Sequence, residues 1–571
     1  MSEPGEVRTI PRLVRASAEA FGDRLAIIDG EVTLTFAELA RDVLVAARGF
    51  TALGIRPGDR VGLWAANSHR WVTASLGLLT AGAIVVPLNT RYRGAEARQL
   101  LARTQARALV VDQGFLGYDQ LGSLFSAAAT EEAADYDLSR LRLAVDLGAG
   151  TGTTAGVPFT VAGWPELVAA ASRVPEAEAI ATAEAVRPED RSEIVFTSGT
   201  TGQPKGVQLT HGAGIDLYIP YGQIWGLRPG DRYLIILPFF HTGGNKAGLV
   251  NSLLHGVTMV PVPVFDTVEA MRLIERHRIT VMNGSPTIYM SILDHPDRQS
   301  YDLSSLRLAA TGAATVPPRL VERARTELPF ENFITAYGLT ECCGTATMCR
   351  ATDPEQVVSN SNGSALPGVE VRIIELDGDE AATGEPGEVL VRGGNVTAGY
   401  WQDPEATREA IDAGGWLHTG DVGSLDGGGN LKIIDRLKDL FIVGGFNVSP
   451  AEVEGVMARH PDISEVAVIG VPDDRLGEVA RAYVIAKPGA EPDAEQVITW
   501  CRERLANFKV PRSVIVVDQF PRNATGKVLR RELRAAPSPT SVSDPQAASA
   551  QSTPPATAPA TAQPTANKEP Q

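Results

Sequence analysis

Residues 196–206 read Phe-Thr-Ser-Gly-Thr-Thr-Gly-Gln-Pro-Lys-Gly and come directly off the apolar strand Glu193–Phe196. The hydroxyls of Thr197, Ser198, Thr200 and Thr201, the amides exposed by Gly199 and Gly202, and the Lys205 cation suit a polyphosphate. Glycine lets a backbone close on phosphate oxygens where a Cβ would clash. The segment is not a Walker A loop, because no Gly-Lys-Ser/Thr falls at the required offset from Gly199 or Gly202. Its competing reading is a flexible Gly/Thr surface turn.

Such a loop needs a sheet to hold it. From about residue 8 to 434, amphipathic helical stretches alternate with short apolar strands at 60–65, 83–88, 192–197, 233–237 and 280–282. A helix over 68–81 follows the start signal Asn67-Ser68. This alternation predicts a layered α/β fold with much parallel sheet. Glycines gather over 384–399, which predicts a compact β-rich section. After Asp435-Arg-Leu-Lys-Asp439 the pattern changes to a helix over 450–459, strands over 463–471 and 481–486, and a helix over 493–505. The expected domains are therefore 1–434, a small α+β domain over 435–535, and a tail over 536–571. That tail is rich in Ala, Pro, Ser and Thr and is expected to be disordered.

The chain has 571 residues, 44% hydrophobic and 21% charged, with a net charge of -16. That acidity excludes a nucleic-acid partner, since phosphate backbones need a basic face. The four cysteines, Cys342, Cys343, Cys349 and Cys501, form neither a disulfide framework nor a zinc pattern. No apolar run reaches membrane-spanning length, and the first eight residues lack the pattern of a signal peptide, so a cytoplasmic protein is expected.

Further motifs follow the loop in order: Phe240-His-Thr-Gly-Gly244, Thr311-Gly-Ala-Ala-Thr315, Tyr337-Gly-Leu-Thr-Glu341, Leu417-His-Thr-Gly-Asp-Val-Gly423, Asp435-Arg-Leu-Lys-Asp439, Gly444-Gly-Phe-Asn-Val-Ser-Pro450 and Pro521-Arg-Asn-Ala-Thr-Gly-Lys527. At these residues, and over essentially all of 8–535, the chain resembles the adenylate-forming superfamily of acyl-CoA synthetases, luciferases and peptide-synthetase adenylation domains. The resemblance implies a large N-terminal domain of several subdomains and a small mobile C-terminal domain. It also implies two steps: ATP and a carboxylate give an acyl-adenylate, and the thiol of coenzyme A then displaces AMP. On that resemblance Thr197, Ser198, Gly199, Thr200, Thr201, Gly202 and Lys205 hold the β- and γ-phosphates. Gly312, Ala313, Ala314, Tyr337 and Gly338 frame the adenine, Thr340 meets the α-phosphate, and Glu341 binds Mg²⁺. Asp421 and its helper Arg436 grip the ribose. Lys527 bridges the carboxylate and the α-phosphate, where a fixed ammonium stabilises two meeting anions. The small domain turns about Asp435, replacing Lys527 with a coenzyme A tunnel formed by Lys438, Gly444, Gly445 and Phe446. A homodimer is compatible with this reading.

The acyl pocket implied by the resemblance includes His241 as a gate, with Gly243, Gly244, Asn245, Gly284 and Ser285. Its glycines suggest room for a bulky acid, and no aspartate stands out for an amino-acid amine. The wording of 274–280, 288–296 and 306–316 resembles actinobacterial ligases for the indane-propionate left from steroid ring degradation, which implies a polycyclic acid; a polycyclic terpenoid acid fits equally well. Ser449 stands where tyrosine is common in this family, and Gly363-Ser-Ala-Leu-Pro-Gly368 replaces the usual Gly-Arg-Pro-Leu-Pro-Gly. A rival within the same fold performs only one half-reaction, and another only binds an acyl-adenylate. Residues 143–152 (Leu-Ala-Val-Asp-Leu-Gly-Ala-Gly-Thr-Gly) resemble a methyltransferase glycine motif, but Gly156 and Pro158 break the helix that it requires. Residues 143–165 therefore read as a loop insertion.

Overall fold

The computed structural model describes residues 7–126, 136–148, 157–197, 204–312, 316–375, 378–437, 439–443, 446–473, 475–502, 504–505, 507–522 and 527–535. The tail over 536–571, expected to be disordered, lies outside them.

The first layer is a seven-stranded sheet in the order Thr160–Gly163, Leu143–Asp146, Ala108–Val111, Arg60–Trp64, Ile84–Pro87, Arg191–Thr197, Lys205–Thr210. Every pairing in it is parallel except the last. A nine-stranded sheet forms the second layer. It runs Ser364–Ala365, Thr347–Met348, Asn332–Tyr337, Leu308–Thr311, Val281–Gly284, Arg232–Ile235, Thr258–Pro261, Leu25–Asp29, Val32–Thr35. The pairings from Asn332–Tyr337 through Leu25–Asp29 are parallel. Helix His69–Thr80 contacts strands of both sheets and is buried along nearly its whole length, as a helix apolar on all sides must be. Ser68 caps it, its side chain accepting from Trp71 N.

The presumed loop insertion is corrected here. Leu143–Asp146 and Thr160–Gly163 are neighbouring parallel strands at the edge of the seven-stranded sheet. Leu143, Ala144 and Val145 belong to its core, so the apolar run is structural rather than inserted. The glycine-rich remainder, 149–156, lies outside the described residues.

A four-stranded antiparallel sheet, Val369–Ile374, Gly387–Gly393, Leu417–Leu425 and Leu431–Arg436, forms the expected glycine-rich β section. Beyond it, Ile463–Asp473 and Gly477–Ala486 pair over almost their full length, joined by Phe441–Val443, Phe446–Val448 and Ser513–Val516. Helices Pro450–Met457 and Ala494–Arg502 pack on this sheet. Val453, Met457, Val468, Val484, Val497 and Cys501 form a core of their own, distinct from that of the large layers.

Candidate active site

In parallel sheets, ligands bind beyond the carboxyl ends of the strands. Thr197, Gly284, Thr311 and Tyr337 all occupy such ends. Gly284 and Thr311 are register partners on adjacent strands, and Thr311 is in turn paired with Thr335.

Strand Arg191–Thr197 returns as Lys205–Thr210, with Thr197 opposite Lys205. Ser198, Gly199, Thr200, Thr201 and Gly202 lie outside the described residues. The Lys205 ammonium sits 5.0 Å from the ring centroid of Tyr400. The hydroxyl of that same tyrosine donates to Glu341 Oε1 at 3.0 Å. Burial, and then Glu341 itself, raises the Tyr400 phenol well above its ordinary value, so it remains a donor. Backbone bonds fix this junction: Trp401 N donates to Gly206 O at 2.7 Å, and Thr397 N donates to Glu341 O at 2.7 Å. Sequence reasoning missed Tyr400. The only hint was an aromatic pair, Tyr400-Trp401, directly after the glycine-rich stretch.

On the neighbouring side, the Tyr337 hydroxyl donates to Asp421 Oδ2 at 2.7 Å. Asp421 is buried in Leu417–Leu425, opposite Arg436; only the backbone of Arg436 is described. Gly338 has to be glycine, because a Cβ there would lie 2.4 Å from Gly344 O. At Gly312 a Cβ would approach Ala336 O to 2.6 Å. Ala313 and Ala314 lie outside the described residues. Thr340 is buried in the single turn Thr340–Cys342, which also carries Glu341. Thr311 Oγ1, just before Gly312, is buried with no hydrogen-bond partner among the described residues.

These groups fit a magnesium–nucleotide complex. Mg²⁺ is commonly held by one or two carboxylates plus phosphate oxygens, which suits Glu341. A lysine ammonium such as that of Lys205 is the kind of point charge that suits polyphosphate, and Thr311 and Asp421 add polar groups.

His241 caps the short helix Thr242–Gly244, its Nδ1 accepting from Gly243 N at 3.1 Å. Burial lowers its pKa, which favours the neutral ring. Asn245 is buried at the start of the π-helical turn Asn245–Val250, a geometry frequent at functional sites. Ser285 Oγ pairs with Thr287 Oγ1 at 2.8 Å. The glycines do not open space as expected. A Cβ at Gly244 would lie 2.3 Å from Pro238 O, one at Gly243 2.8 Å from Leu237 Cδ1, and one at Gly284 3.1 Å from Ile288 Cδ1. The chain's own atoms fill the volume that their missing side chains leave.

Near the end of strand Leu431–Arg436, Asp435 is buried, and its Oδ2 accepts from Ser449 Oγ at 2.5 Å and from Ala451 N at 3.1 Å. Ser449 also caps helix Pro450–Met457, accepting from Glu452 N at 3.2 Å. Further along that helix, Glu454 binds Arg530 through contacts of 2.7 and 2.8 Å. Arg530 is three residues beyond Lys527, which is half-buried. Lys438, Gly444 and Gly445 lie outside the described residues, and of Phe446 only the backbone is described, at the start of Phe446–Val448.

A family model described as AMP-binding enzyme matches residues 14–401, and one described as AMP-binding enzyme C-terminal domain matches residues 452–527. A Rhodococcus jostii protein named 3-[(3aS,4S,7aS)-7a-methyl-1,5-dioxo-octahydro-1H-inden-4-yl]propanoyl:CoA ligase is 49% identical over 527 residues, covering 92% of this chain and 98% of that relative. A Mycobacterium tuberculosis protein of the same name is 47% identical over 531 residues, covering 93% and 99%. The solved structure of o-succinylbenzoate CoA synthetase from Bacillus subtilis, in complex with its acyl-adenylate intermediate, superposes with a TM-score of 0.76 at 30% identity. That match covers 92% of this chain and 98% of the other.

Proposed function

The chain belongs to the AMP-binding enzyme family and is an ATP-dependent, AMP-forming acyl-CoA ligase, and from this premise we propose that its acid is a hydroindane-type propionate. The observation that carries the proposal is identity of nearly half, over nearly the full length of both chains, to two ligases named for one bicyclic diketo-propanoate. Such an acid is the kind left from steroid ring degradation.

In the proposed reaction a carboxylate oxygen attacks the α-phosphorus of ATP and pyrophosphate leaves. The sulfur of coenzyme A then attacks the acyl carbon, and AMP leaves. Thr197–Thr201, Gly202 and Lys205 take the β- and γ-phosphates; Gly312, Ala313, Ala314, Tyr337 and Gly338 border the adenine; Asp421 and Arg436 take the ribose. The Tyr337–Asp421 bond supports this division, since it joins an aromatic side chain to a buried carboxylate. Thr340 meets the α-phosphate and Glu341 carries Mg²⁺, which supplies neutralisation of phosphate charge. Lys527 stabilises the charge that builds as two anions meet. His241, Gly243, Gly244, Asn245, Gly284 and Ser285 border the acyl group.

We place the domain boundary at Asp435, with Lys438, Gly444, Gly445 and Phe446 serving coenzyme A after rotation. The separate core beyond Asp435 supports that boundary. Free buried thiols at Cys342, Cys343, Cys349 and Cys501 support residence in a reducing cytoplasm.

The test is coenzyme A thioester formation across a panel of hydroindane propionates, bicyclic terpenoid acids, medium-chain fatty acids and benzoates. The hydroindane propionate is expected to give the highest kcat/KM. Preference for a fatty acid or a benzoate would overturn the substrate assignment.

A further inference from the structure

Lys205 and Glu341 carry opposite charges at one site, yet no ion pair joins them among the described residues. One side chain meets both. The Tyr400 hydroxyl donates to Glu341 Oε1 at 3.0 Å, and the Tyr400 ring lies 5.0 Å from the Lys205 ammonium. A phenol can do this because its oxygen is a hydrogen-bond donor while its ring face attracts a cation.

The tyrosine is held firmly. Val207 and Tyr400 form an antiparallel bridge, and Gln208 N donates to Gly399 O at 3.1 Å. Thr397 Oγ1 donates to Gln208 O at 2.7 Å, and Tyr400 N donates to Thr407 Oγ1 at 2.9 Å. Residues 397–401 are thus laced to the strand that begins at Lys205 and, through Thr397 N, to the backbone of Glu341.

We propose that Tyr400 is a positioning residue that keeps the magnesium carboxylate and the polyphosphate lysine at separate stations. Its hydroxyl occupies Oε1 and so fixes the orientation of the Glu341 carboxylate that would hold the metal. Partners that hold a liganding carboxylate commonly govern metal affinity. Its ring gives Lys205 a weak, nonionic partner, which polyphosphate can replace without first breaking a salt bridge to Glu341. This rests on the assignment of Glu341 to Mg²⁺ and Lys205 to phosphate.

Tyr400→Phe keeps the ring and removes the hydroxyl; Tyr400→Leu removes both. ATP binding is titrated calorimetrically at a series of Mg²⁺ concentrations, alongside acid-dependent pyrophosphate exchange, thioester formation from supplied acyl-adenylate, and melting temperature. Tyr400→Phe is expected to raise the Mg²⁺ concentration for half-maximal ATP binding and exchange by about tenfold. ATP affinity at saturating Mg²⁺ is unchanged in this variant. Tyr400→Leu adds a loss of ATP affinity that saturating Mg²⁺ does not restore, and both variants keep the thioester step. A wild-type Mg²⁺ titration for Tyr400→Phe overturns the proposal. Equal loss of both half-reactions, with a lowered melting temperature, also overturns it, because that is the mark of a merely structural side chain. Glu341→Gln serves as the control: an unaltered Mg²⁺ requirement there sinks the underlying metal assignment, whatever the tyrosine variants do.

Discussion

Glu193 and Lys246 form an ion pair with both side chains only 1% exposed, at N···O distances of 2.7 and 2.8 Å. Glu193 lies in strand Arg191–Thr197, which precedes the segment proposed to bind phosphate, and Lys246 follows Asn245 in the π-helical turn. The perturbation is Lys246→Met, which keeps the length of the side chain and deletes the charge. Glu193 is then a buried carboxylate whose remaining side-chain hydrogen bond among the described residues comes from the Ser192 hydroxyl. Stranding one member of a buried pair costs about 3–5 kcal/mol, whereas exchanging both for neutral groups of similar volume is often close to neutral. Glu193→Gln combined with Lys246→Met is therefore expected to recover most of the loss, with a coupling energy of at least about 2 kcal/mol. Urea unfolding followed by tryptophan fluorescence measures it, since Trp64, Trp71 and Trp225 are buried in the same large layers. A coupling energy below about 1 kcal/mol would refute the reasoning, because the pair would then behave like a solvated one.

His211 is buried beside this pair, and burial is the main reason that its pKa falls to about 4. The unfolded chain takes its proton near the ordinary value of 6.5 and the folded chain only near 4, so acid favours unfolding. Between pH 7 and pH 5 this histidine alone should remove about 2 kcal/mol of stability, and His211→Asn should flatten that part of a urea-midpoint profile. An unchanged slope would contradict it. Ser449→Ala removes both the bond to Asp435 and the cap on Pro450–Met457, so stability of the small domain should fall by about 1–2 kcal/mol. Ser449→Thr keeps the hydroxyl and should recover most of this in a melting experiment.

The residues proposed to do chemistry stood out in the sequence because their types and order carry that reading locally. Ser68 announces its helix by capping chemistry alone, and the change of pattern after Asp435 marks a second core. What was not legible depends on distant partners. Tyr400 acquires meaning only when the fold brings Glu341, 59 residues away, to its hydroxyl. Glu193 reads as a strand residue until Lys246, 53 residues on, neutralises it. Leu143–Asp146 was read as a loop because four residues are too few to show a period, and its place is set by pairing with Ala108–Val111. Gly244 suggested an open pocket because a sequence records a missing side chain and not the Pro238 carbonyl that takes its place.

Division of labour between Lys527 and the rest of the cleft is tested most directly by Lys527→Ala, assayed on each half-reaction separately with the hydroindane propionate and its adenylate. Acid-dependent pyrophosphate exchange should fall by about 10²–10³-fold, the loss typical of one preorganised charge-stabilising group. Thioester formation from supplied acyl-adenylate should be largely retained. Equal loss of both steps would contradict a lysine that serves adenylation alone.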